Sequence, residues 1–168
     1  MNIEIYPLEK VVINGVSIYL GMEQSAVENA IGQGELVGNR FYYYDSEMAI
    51  DYDKNKKVEF IEFLGGIDGK LQPVIYGVSS FQTKAEDIFN ILFEQNHGDI
   101  DDNENGYSYS FLNINVGVYR SSIPEDVQEM IEEAAEDGVP MDEEEIEYEM
   151  KKANYWETIG IGIENYYR

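Results

Sequence analysis

The chain has no cysteine, one histidine, one tryptophan and four prolines among 168 residues. Without thiols it can hold neither a disulfide nor a thiolate metal site, which fits a reducing compartment. A single imidazole, His97, excludes any multi-histidine metal centre, and a histidine-based triad would have to use that one ring. His97 adjoins an expected helix end, where a cationic side chain would meet the negative end of the dipole. No apolar run nears the roughly 20 residues of a membrane span. The first ten residues lack the basic start and long apolar stretch of a signal peptide. The chain is therefore expected to be soluble and cytoplasmic. Gly-x-Ser-x-Gly and phosphate-loop motifs are missing, and Gly160-Ile161-Gly162 lacks the third glycine and the helix of a dinucleotide fingerprint. No catalytic residue and no cofactor is assigned.

Basic residues are also scarce. Lys and Arg number 11 against 34 Asp and Glu, a net charge of −23. Residues 1–70 hold 12 acids and 6 bases, and residues 71–168 hold 22 acids and 5 bases. Such a field repels nucleic acid and anionic membranes and attracts basic partners. High acidity can also mean disorder, but 14 tyrosines, 7 phenylalanines and the tryptophan argue for a packed fold. A chain of this size buries roughly 70% of its unfolded surface and needs no covalent staples.

The segment Leu20–Gly32 reads as a short amphipathic helix, with Met22, Ala26, Val27, Ala30 and Ile31 on one face and Gly32 as its stop. It follows Gly15-Val16-Ser17, and Gly77-Val78-Ser79 recurs 62 positions later ahead of a second helical pattern over 84–94. Thr83 with Glu86 has the spacing of a capping box. Each helix leads into tyrosine-rich alternating segments: 40–44, 48–53 and 58–63 in the first half, 107–112, 114–120 and 155–163 in the second. Asn14-Gly15 between apolar runs marks a hairpin turn. In 58–63, strict alternation puts Val58, Phe60 and Glu62 on one face and Glu59, Ile61 and Phe63 on the other. Glycines alternating with Ile159, Ile161 and Ile163 mark close approach of another element. Gly65-Gly66-Ile67-Asp68-Gly69 is the boundary. The expected fold is α+β: two α-βββ-like repeats, 1–70 and 71–168, with antiparallel strands and helices on one side.

The second repeat carries an acidic insertion over 121–154. Ser122 and Glu125 have capping-box spacing. Val127, Met130, Ile131 and Ala134 form one stripe, and Ile146, Met150 and Ala153 another on a second helix that Asp142 can cap. Glu147 and Lys151 form a favourable i,i+4 pair. Between Pro124 and Met150 lie 13 acids and no base. The stripes must dock while the outer face stays densely negative.

Two Asp/Asn turns invite comparison with calcium loops. Asp51, Asp53, Asn55 and Glu62 match four loop positions, but Lys56 stands where glycine is required. Asp101, Asn103, Asn105 and Gly106 match the first half of a loop, but Leu112 replaces the closing glutamate. Both read as ordinary polar turns, and no metal is assigned. Tyr42, Tyr43 and Tyr44 run consecutively, so Tyr43 faces away from its neighbours. Tyrosine is frequent in interfaces, which makes Tyr43, Tyr107 and Tyr109 candidate contacts.

The run from Leu20-Gly21-Met22 through Val27 to Ile31-Gly32, followed by strands, resembles the repeat of the β-lactamase inhibitor proteins and related small outer-membrane assembly lipoproteins. That resemblance implies two tandem helix-plus-sheet units forming a concave sheet. The chain departs from the family in having no signal peptide, no cysteines for its disulfides, and the acidic insertion. The expectation is a non-enzymatic acidic protein that neutralises a basic, toxin-like partner, most concretely an immunity protein against a nuclease. Glu132, Glu133, Glu136, Asp137 and Glu144, with the three tyrosines, are its expected contacts. The alternatives are a hydrolase built on a carboxylate pair and a calcium-binding module.

Overall fold

The computed structural model describes all 168 residues. In chain order the first half comprises β1 (Ile3–Tyr6), β2 (Lys10–Ile13), β3 (Val16–Tyr19), α1 (Gln24–Ile31), β4 (Glu35–Val37), β5 (Arg40–Tyr43), β6 (Met48–Tyr52) and β7 (Val58–Phe63). The second half comprises β8 (Val74–Ile75), β9 (Val78–Ser79), α2 (Ala85–Asn96), β10 (Ile100–Asp101), β11 (Ser108–Phe111), β12 (Val116–Tyr119), α3 (Pro124–Glu136), α4 (Glu143–Ala153) and β13 (Thr158–Gly162). The chain is an α+β protein.

Turn chemistry sets the two short hairpins. Asn14 and Gly15, at φ 49° and 82°, join β2 to β3. Tyr76 and Gly77, at φ 48° and 80°, join β8 to β9. Positive φ at both central positions matches the right-handed twist of the flanking strands. β8 lies parallel to β1, with Ile5 opposite Ile75, and the order of this five-stranded sheet is β3-β2-β1-β8-β9.

After each hairpin comes a helix and then a four-stranded antiparallel meander, β4–β7 in one half and β10–β13 in the other. The last strands of the two meanders pair antiparallel, Ile61 opposite Ile161, so all eight strands form one sheet. A single apolar row crosses it: Leu36, Phe41, Ile50, Ile61, Ile161, Val116, Phe111 and Ile100. The expectation of three strands after each helix falls short by one at each edge. β4 is exposed throughout and β10 has only two residues, so neither carries a burial pattern that a sequence could reveal. The acidic insertion occupies the β12–β13 connection, where the β6–β7 connection has only Asp53–Lys57.

One core of 24 buried residues joins both sheets and the first two helices. Ile3, Ile5, Val11, Ile18 and Ile75 meet Ile50, Ile61, Phe63, Ile159 and Ile161, with Val27, Ile88 and Leu92 from the helices. In β7 strict alternation fails. Asp51 opposes Phe60 and Tyr52 opposes Val58, which leaves Glu59 as a bulge. Val58 therefore joins Ile61 and Phe63 in the core, and Phe60 turns with Glu62 to the opposite face.

That opposite face is partly covered by the C-terminal residues. Tyr166 stacks on Phe60, with centroids 4.5 Å apart and planes 3° from parallel. Tyr167 lies over Gly117, where any Cβ would collide with its phenol. Burial raises the pKa of both phenols. The alternating glycines of β13 serve the same approach: Gly160 accommodates the Phe60 ring and Gly162 the Tyr166 side chain.

Candidate partner-binding surface

The insertion is built from two capped helices packed against each other. α3 begins with Pro124 in its first turn, where the missing N–H costs nothing. Its cap is not Ser122–Glu125: the Asp126 carboxylate instead accepts the Ile123 N–H at 3.1 Å. Asp126 also accepts the Tyr107 hydroxyl, with contacts of 2.7 and 2.8 Å to its two oxygens. α4 opens with a reciprocal box in which Asp142 accepts the Glu145 N–H at 2.8 Å and Glu145 accepts the Asp142 N–H at 3.2 Å. The second helix of the body, α2, also lacks its expected box. It starts at Ala85 after Lys84, with no side-chain cap, and the Ala85 N–H donates to Asn154 O at 2.8 Å.

The pair is fastened at one end. Val127 and Ala153 are fully buried. Arg120, at the end of β12, donates from Nε to Gly106 O and from Nη1 to Ala153 O, both at 2.7 Å. Its guanidinium lies 4.9 Å from the centre of the Trp156 ring. Burial lowers the pKa of Arg120. Trp156 donates to Ala85 O at 3.0 Å, tying the exit from α4 to the start of α2. Lys151 bonds Asp68 in the glycine-rich connector at 2.9 Å rather than Glu147 on its own helix. The stripe on α3 is thus covered unevenly: Val127 is buried, Ile131 and Ala134 are half-buried, and Met130 is 40% exposed.

Glu132, Glu133, Glu136, Asp137 and Glu144 are all exposed, and none has a basic side chain within salt-bridge distance. The structure gathers these five on the free part of the helix pair. It does not gather the three tyrosines with them. Tyr43, expected at the surface, is 5% exposed and its hydroxyl meets that of Tyr52 at 2.7 Å. Its place in the strand turns it toward the core, and burial raises its pKa. Tyr107 is spent on Asp126 at the foot of α3. Tyr109 packs edge-on against Phe89 and Trp156 and donates to Asn105 at 2.8 Å, so it lines the seam beneath the insertion.

Between α3 and α4 runs a shallow groove that the sequence reading did not isolate. Met130 and Ala134 from α3, Met141 from the connection and Tyr148 from α4 provide its apolar lining. Glu133, Asp137, Glu145 and Glu149 stand around it. The signal was in the spacing of Met130 and Ala134, but that spacing alone does not distinguish a buried stripe from an open one.

The carboxylates of the two Asp/Asn turns are engaged within the chain. Asp51 and Glu62 each accept from Arg40 at 2.8 Å. Asp53 accepts the N–H groups of Asn55 and Lys57 at 2.8 and 3.0 Å, and Asp101 accepts that of Asn103 at 3.0 Å. These are Asx turns and an ion triad, and no group of three or more His, Cys, Asp or Glu side chains converges as metal ligands. His97 is exposed and caps α2 in the left-handed conformation, φ 49°. No helix is long and apolar enough to cross a membrane. No family model, no curated protein and no solved structure matches this chain.

Proposed function

We propose that this chain is a non-enzymatic, cytoplasmic binding protein that neutralises a basic protein partner, in the manner of an immunity protein against a cationic nuclease-like toxin. The observation that carries the reading is the helix pair. It holds 13 acids and no base between Pro124 and Met150, and its fastening contacts are confined to one end. Like charges crowded on one element destabilise the folded state, and a cationic surface relieves that cost. A nuclease must attract phosphate, so the same surface that binds its substrate is drawn to these carboxylates. Opposed fields accelerate encounter, and the body of the inhibitor then blocks access. The shared order of hairpin, helix and meander in the two halves is in keeping with the resemblance to tandem-repeat inhibitors, and under this reading the halves are copies of one unit.

The test uses the product of the reading frame adjacent to this one. Its expression is expected to arrest growth, and co-expression of this chain to restore it. A variant with Glu132, Glu133, Glu136, Asp137 and Glu144 changed to lysine, verified as folded by circular dichroism, is expected to fail to protect. An adjacent product that is not toxic, toxicity that the wild-type chain does not relieve, or full protection by the variant would each overturn the proposal.

A further inference from the structure

We propose that the groove between α3 and α4 is an anchor site for a bulky apolar side chain carried on a lysine- or arginine-rich segment of the partner. The identity of the partner rests on the reading above; the groove itself does not. In a stretch this acidic, every apolar side chain that could pack on the body would be expected to do so. Val127 and Ala153 do, yet Met130, Val139 and Tyr148 stay 40%, 72% and 59% exposed. Met130 and Tyr148 share one groove with Ala134 and Met141, so their exposure is gathered in one place, while Val139 lies outside it in the connection between the helices.

The lining suits a partner whose shape is not fixed in advance. Met130 and Met141 are unbranched and polarisable, and so adapt to different inserted groups. Ala134 leaves room between them, and Tyr148 offers a broad ring with a polar tip. The surrounding charge selects the occupant. Glu133 and Asp137 stand on one side and Glu145 and Glu149 on the other. Both lysines of α4 are already engaged, Lys151 by Asp68 and Lys152 over the Tyr148 ring at 5.7 Å. An apolar anchor without flanking cations would lie in a field of uncompensated carboxylates, and an anionic lipid surface would be repelled. A basic amphipathic segment satisfies both the lining and the ring, the combination used in helix-in-groove recognition. The long-range field then governs the on-rate, and the groove governs how long the complex lasts.

Three synthetic 14-residue peptides separate these contributions: a lysine/leucine amphipathic peptide, a lysine/serine peptide of equal charge, and a leucine/serine peptide with no charge. Binding is measured by calorimetry at physiological salt. The lysine/leucine peptide is expected to bind at least tenfold more tightly than the other two. Met130→Ser with Tyr148→Ser, both at exposed positions and checked by circular dichroism, should abolish that margin without changing the lysine/serine affinity. Equal affinities for the two cationic peptides, or a margin that survives the double substitution, overturn the groove proposal. The five-lysine variant reads the other question: if it binds both cationic peptides as the wild type does, capture by charge fails, while the serine pair still decides the groove.

Discussion

Arg120 ties the acidic helices to the body through two hydrogen bonds, and Arg120→Met tests that role. The substitution keeps much of the apolar stem but removes two donors, those reaching Gly106 O and Ala153 O at 2.7 Å. A hydrogen bond from a charged donor contributes about 1.5–3 kcal/mol net. Two would suggest about 3–6 kcal/mol, but Arg120 is half-exposed to screening solvent and desolvation opposes its charge, so the expected cost lies in the lower part of that range, about 3–4 kcal/mol. Arg120→Lys keeps the charge but not the planar fork that meets two carbonyls at once, and should recover less than half of the loss. Trp156 is the only tryptophan and lies beneath the guanidinium, so its fluorescence in urea reports the site directly. For a domain of this size the melting temperature should fall by about 2–4 °C per kcal/mol. Amide exchange should quicken first over 124–153, because the lost bonds tie that segment to the body, while the eight-stranded sheet stays protected. A variant with an unchanged urea midpoint and unchanged exchange over 124–153 would refute the role assigned to Arg120.

Two further outcomes follow from the back of the sheet and from the charge. Gly117→Ala places a methyl group against the Tyr167 phenol and should cost about 1–3 kcal/mol by overpacking; in a chain ending at Ile163 the same substitution should cost almost nothing, and an equal cost in both backgrounds would dismiss the contact. Stability should rise with sodium chloride, because screening weakens the self-repulsion of a chain at −23. It should also rise as pH falls from 7 toward about 5: burial, with Asp53 and Asp51 nearby, raises the pKa of Glu59, so the folded state binds that proton more tightly and loses stability as pH climbs through the unfolded and then the folded value. Thermal melts at two pH values and two salt concentrations check both signs, and a melting temperature that falls with salt would contradict the reasoning.

Some residues acting on their immediate neighbours were legible in the sequence, although the Thr83–Glu86 and Ser122–Glu125 spacings, equally local, did not become caps because those helices start elsewhere. Asn14-Gly15 takes the positive φ values its hairpin demands because those two residues tolerate them at little cost. Asp142 caps α4 because the N–H it accepts, that of Glu145, lies within one turn. The glycines of β13 foretold a close neighbour, since a missing Cβ leaves room on one face of a strand. Choices among distant partners were not legible. Lys151 had Glu147 one turn away on its own helix and took Asp68, 83 residues earlier, because the fold brings the connector beside α4. Val58 changed face because the register against β6 makes room for a bulge at Glu59. β4 and β10 exist because an adjacent strand offers hydrogen bonds, whatever their own side chains prefer. The acidity of 124–150 is a property of the chain alone. That Tyr43 lies in the core while Met130 and Tyr148 line an open groove was decided by the tertiary structure, because spacing fixes which side chains share a face, and only the packing of one element on another fixes which face is covered.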